Sequence, residues 1–174
     1  MDFSDFEALL VSAMEKPNKK TIDALLDILS KCGHPVPAQY NDALTVLWEG
    51  WGDEELDNIQ GSFCIALAGL SVADTPVFRK MLVASVKAVL PPYLYRNPVM
   101  KALGVRDEAV SLHEVAARLR RLFALKPGVI VYLPGNGRWG IAGAIDNINA
   151  SLALGAISLS GSAAVPLETV LKEA

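Results

Sequence analysis

Apolar residues recur every three or four positions from Phe6 to Phe123 and then alternate from Val129 onward. That change of period predicts a series of helices followed by strands. Phe6, Leu9, Leu10 and Ala13 form the first stripe, behind a Ser4 and Glu7 pair at capping-box spacing, and Pro17 stops it. Ile22, Leu25, Leu26 and Leu29 form a second between about Asn18 and Lys31, closed by Gly33 and His34-Pro35. A third begins at Pro37, carries Tyr40, Ala43, Leu44, Leu47 and Trp48, and breaks at Gly50 and Gly52. Asp53 is placed to cap a fourth, with Leu56, Ile59, Phe63, Ala66, Leu67 and Leu70 on its stripe.

Asp74-Thr75-Pro76 is a strong helix start, since the first two can cap and proline suits the first helical turn. The helix it opens, Val77 to Leu90, is apolar around most of its circumference, which predicts a central place in a bundle. A short sixth helix, about Tyr93 to Leu103, is interrupted by Pro98 and stops at Gly104. The seventh opens with a Ser111 and Glu114 capping box. It turns Leu112, Val115, Ala116, Leu119, Leu122 and Phe123 inward and leaves Arg118, Arg120 and Arg121 outside. Helix pairs starting near positions 4, 38 and 75 have the spacing of helical repeats but share no residue pattern, so an irregular bundle and a repeat-like stack both fit.

Lys126-Pro127-Gly128 marks the boundary. Beyond it Val129, Val131 and Leu133 face one way, as do Trp139, Ile141, Gly143 and Ile145, and then Leu152 and Leu154. Pro134 to Gly137, Asn147 to Ala150 and Ser160-Gly161-Ser162 are turn chemistry, the last before a short strand ending at Val165. The chain is therefore expected to be α+β. Residues 1–125 form a helical domain of six or seven helices, and 127–174 a small, curved antiparallel β-barrel domain.

Composition narrows the function. Hydrophobic residues make up 52% of the 174, yet the longest apolar run, Phe63 to Leu70, falls well short of the roughly 20 residues that span a bilayer. An acidic start, MDFSDFEALL, lacks the basic region of an export signal, and Cys32 and Cys64 are too few for a disulfide framework, so the cytoplasm is the expected compartment. A net charge of -3 argues against nucleic-acid binding by bulk charge. Between Pro127 and Leu167 only Arg138 and Asp146 are charged, so a face of the barrel should seek cover on the helices or on a partner.

Catalytic chemistry does not assemble from these motifs. His34 and His113 lack companions at metal-ligand spacing, and Cys32-Gly33-His34 lacks a further ligand. Gly135-Asn136-Gly137 sits between strands, where a hairpin turn is expected rather than a phosphate cradle. Asp53, Glu54, Glu55 and Asp57 suit a helix N-terminus, and Trp48 and Trp51 a core. Arg118, Arg120, Arg121 and Lys126 flank the barrel as a basic rim or simply as a charged helix face.

The stretch Gly128-x-x-Val131-Tyr132-x-Pro134, then Arg138-Trp139-Gly140-Ile141-x-Gly143-x-Ile145-Asp146, then Pro166-Leu167 before a last helical turn, resembles a known module. It is similar to the small Tudor- or SH3-like barrel of CarD-family factors, transcription-repair coupling factors and extended Gre-type elongation factors. The resemblance covers about a quarter of the chain. It departs at Trp139-Gly140 and Ala142, where the CarD-type pattern has a His-Gly step and an earlier glycine. It implies docking on a lobe of RNA polymerase, without the cleavage or motor chemistry of the larger factors. The function expected is a non-enzymatic protein-interaction adaptor without cofactor or metal, with Tyr132, Arg138, Trp139, Arg118 and Arg121 as partner-binding residues. Nucleic-acid binding and self-association are the alternatives.

Overall fold

The computed structural model describes residues 3–52, 55–133, 137–155 and 162–173. It shows an α+β chain. Seven α-helices, among the described residues, precede a four-stranded antiparallel sheet and a closing helix. The chain divides into two compact units, 1–90 with 111–113, and 91–110 with 114–174.

The first unit is helical. It contains α1 (Phe3–Glu15), α2 (Lys19–Lys31), α3 (Ala38–Trp51), α4 (Asn58–Ala68) and α5 (Pro76–Val89). Side chains close most starts: Asn18 accepts from the Thr21 amide, Thr75 from Phe78, and Asp57 exchanges capping-box bonds with Gln60. The cap of α4 is thus Asp57, whereas Asp53 and Glu54 lie outside the described residues. Ser4 is already inside α1, and α3 runs through Gly50 to end at Gly52. Trp48 and Trp51 are core, as their spacing predicts. Trp48 lies 5.7 Å from Trp51 and 5.5 Å from Phe78 between ring centroids, and the Trp51 indole donates to the Ala13 carbonyl.

The second unit holds the sheet. Leading into it are a 3-10 turn at Pro92–Leu94, α6 (Asn97–Leu103) and α7 (Leu112–Ala124). Pro98 lies in the first turn of α6 and starts that helix rather than interrupting a longer one. Strands β1 (Ile130–Leu133), β2 (Arg138–Asp146), β3 (Ser151–Gly155) and β4 (Ser162–Pro166) pair in sequence order, and α8 (Leu167–Glu173) follows. Val131, Leu133, Ala142, Leu152, Leu154 and Val165 form one apolar face, with Val170 of α8 packed on it.

A bulge in β2 changes the expected facing. Ala142 pairs with Leu154 and Ile145 with Leu152, so three steps on β2 match two on β3. The extra residue reverses the alternation, and Ile145 packs against the inner core instead of sharing a face with Trp139 and Ile141. Gly140 is required at its position for a different reason. A Cβ there would lie 2.2 Å from Leu154 Cγ, so the Leu154 side chain fills the space a larger residue would need.

Candidate interaction face

Every residue of the run Val129 to Leu133 is apolar, so β1 presents apolar side chains on both of its faces whatever it packs against. Val131 and Leu133 go inward. Ile130 and Tyr132 are left outward, 61% and 39% exposed. On β2 the outward positions are Trp139 and Ile141, 57% and 39% exposed. Register joins them, because Ile130 lies opposite Ile141, and Tyr132 opposite Trp139.

The ladder explains how close they are. The Ala142 amide donates to the Val129 carbonyl at 2.7 Å, and the Gly128 amide donates to the Ala142 carbonyl at 2.8 Å. Antiparallel alternation then makes Val131–Gly140 and Leu133–Arg138 the hydrogen-bonded pairs, and leaves the other two as non-hydrogen-bonded pairs, whose side chains lie nearer each other. Accordingly the Tyr132 and Trp139 rings are 4.4 Å apart between centroids and tilted by 30°. The four outward side chains thus lie on one face of the β1–β2 pair.

Two of the arginines expected beside this face, Arg118 and Arg121, make hydrogen bonds within the sheet unit. Arg118 is buried, contrary to its placement on the outer side of α7. Its Nε donates to Glu114 Oε1 at 3.2 Å and its Nη1 to the Ala102 carbonyl at 3.1 Å, so the side chain ties α7 to α6. Arg121 is partly buried. Its Nη1 donates to the carbonyls of Leu171 and Lys172 at the C-terminal end of α8, where a helix leaves carbonyls without internal donors. Arg118 is thus buried and Arg121 half-buried, while Arg120 and Lys126 remain exposed. Arg138 occupies the first position of β2, paired in register with Leu133.

Other chemistry is sparse. Among the described residues no group of three His, Cys, Asp or Glu side chains is arranged to hold a metal ion. Cys64 is buried, and desolvation pushes its thiol up to about 12 despite a bond with Ser85. Cys32 donates to the Leu29 carbonyl beside a hollow of about 250 Å³, and partial burial raises its pKa as well, which disfavours the nucleophilic thiolate. Lys31, at the same hollow, is paired with Asp27. The turn Gly135-Asn136-Gly137 falls largely outside the described residues, as do Ser160 and Gly161.

Sequence reasoning named Tyr132 and Trp139 but not Ile130 and Ile141. The uninterrupted apolar run of β1 was the available signal for Ile130. Ile141 already shares the alternating face of Trp139 in the sequence, and the register adds its pairing with Ile130. Compared with known proteins, the chain matches no family model, no curated protein and no solved structure. Among the described residues, no helix is long and apolar enough to cross a membrane.

Proposed function

We propose that this chain is a non-enzymatic protein-interaction adaptor that docks a partner on the outer face of β1 and β2. The observation that supports this reading is the exposed quartet Ile130, Tyr132, Trp139 and Ile141, held in fixed cross-strand pairs. Rigid aromatic side chains supply much of the energy of protein interfaces, because little rotamer freedom is lost when they are covered. The sheet resemblance nominates RNA polymerase as the first partner to test, in a cytoplasmic setting.

The test compares binding of purified bacterial RNA polymerase core to the full chain and to its Trp139→Ser variant. A loss of about tenfold or more in a variant that keeps its circular dichroism supports the reading. Equal binding by the variant removes the face from the interaction. Absence of any polymerase binding withdraws the named partner. A photocrosslinking residue at position 139 then tests the adaptor role in cells, and capture of no protein overturns it.

Single-stranded nucleic acid is a second reading, supported by charge distribution. The sheet-bearing unit has nine basic and six acidic residues, net +3, whereas the helical unit has seven and thirteen, net -6. Bases stacking on Trp139 would bind with strong salt dependence, so oligothymidylate affinity that is absent or insensitive to salt eliminates it.

A further inference from the structure

The outer edge of β1 adds information that the apolar face alone does not contain. β1 is the first strand in the order β1-β2-β3-β4, so among the described residues one of its edges has no neighbouring strand. Because Val131 and Leu133 use their backbone groups on β2, the amides and carbonyls of Ile130 and Tyr132 point away from the sheet. Among the described residues, these groups make no backbone hydrogen bond outside the β1–β2 ladder. Proteins usually blunt such an edge with charge, proline or a bulge inside the strand. Ile130-Val131-Tyr132-Leu133 contains none of these.

Area and charge select the occupant. With these fractional exposures, four side chains of this size offer on the order of 400 Å² of apolar surface, whereas a stable interface takes about 800 Å² from each partner. That suits a single short strand better than a second copy of the whole chain. The unit carrying β1 is net +3, and Lys126 is exposed at the turn that enters the strand, its carbonyl accepting from the Val129 amide. An acidic segment is favoured over a basic one.

We propose that the β1 edge takes up an extended, acidic and apolar segment of a partner protein as a fifth strand. Its backbone pairs with the outward groups of Ile130 and Tyr132, and alternate apolar side chains extend the surface begun by Ile130, Tyr132, Trp139 and Ile141. The proposal rests on the adaptor reading and specifies the chemistry of the partner.

The experiment uses the full chain and capped nine-residue peptides. One alternates valine with glutamate and threonine, a second replaces glutamate by lysine, and a third carries N-methyl groups on alternate amides of the first. The acidic peptide is expected to slow amide exchange at Ile130 and Tyr132 by about tenfold or more, with the lysine peptide about tenfold weaker and the N-methyl peptide inactive. Ile130→Pro removes an outward amide without breaking a bond to β2, so it should abolish binding while the sheet persists. Equal binding of the N-methyl peptide, binding that survives Ile130→Pro, or no binding of the acidic peptide each overturns strand addition. Failure here, with Trp139→Ser still weakening partner binding, leaves the adaptor reading standing on the face alone. A concentration-dependent dimer that Ile130→Pro abolishes would assign the edge to a second copy and overturn the peptide partner, as would exchange protection by oligothymidylate in place of the peptide.

Discussion

At the scale of single residues, the interior of the sheet unit should be sensitive where the outer face is tolerant. Gly140→Ala forces a methyl group into the space of Leu154 and is expected to cost about 1–3 kcal/mol, read as a lowered urea midpoint. Trp139→Ser removes an exposed ring and its contact with Tyr132, and should cost no more than about 1 kcal/mol. Asp146 behaves differently again. Its carboxylate accepts from the amide and side chain of Asn149 and from the Ile148 amide, which lowers its pKa from the ordinary aspartate value. Since the folded value is the lower one, its contribution is present above the unfolded pKa and is lost as pH falls through the folded value. An NMR titration should place the Asp146 midpoint below that of an unstructured aspartate, and Asp146→Asn should flatten the acid limb of the stability profile. The apolar run of β1 made an exposed apolar face legible in advance. The burial of Arg118 was not, because the acceptor it reaches, the Ala102 carbonyl, is sixteen residues away on another helix.

At the scale of elements, α7 is the strut of the sheet unit, fastened by two arginines that look surface-bound on a helical stripe. Arg118→Ala leaves Glu114 and the Ala102 carbonyl without that donor and should destabilise by about 2–3 kcal/mol, while Arg120→Ala next to it should change stability by less than about 0.5 kcal/mol. Chemical denaturation of the two variants side by side checks this. Arg121→Ala loosens the end of α8, whose Leu167, Val170 and Leu171 are fully buried, so amide exchange over 167–173 should quicken more than in α7. Helix starts such as Thr75-Pro76 and the final turn after Pro166-Leu167 were readable because capping and proline chemistry act within a few residues. The bulge in β2 was not, since Gly143 and Ala144 fit a regular strand as well as a bulged one until β3 sets the register.

At the scale of the whole molecule, one tryptophan should report on the proposed face. Trp48 and Trp51 are each 4% exposed and Trp139 is 57% exposed, so a single quenchable component is expected, and Trp139→Phe should abolish it. Because the unit carrying Trp139 is net positive, iodide should quench that component more strongly than caesium at low ionic strength, and added salt should narrow the difference. Equal quenching by both ions would show that the unit's charge does not reach the face. The order of elements, from helices to strands to a closing helical turn, is legible in the chain because periodicity, caps and turn residues operate between near neighbours. Which apolar residues are core and which are surface depends on long-range packing. Val131 and Tyr132 are adjacent in a run of equal hydrophobicity. The pleat of β1 puts them on opposite faces, and the packing of α8 makes the Val131 face the buried wall, a long-range contact that no local pattern encodes.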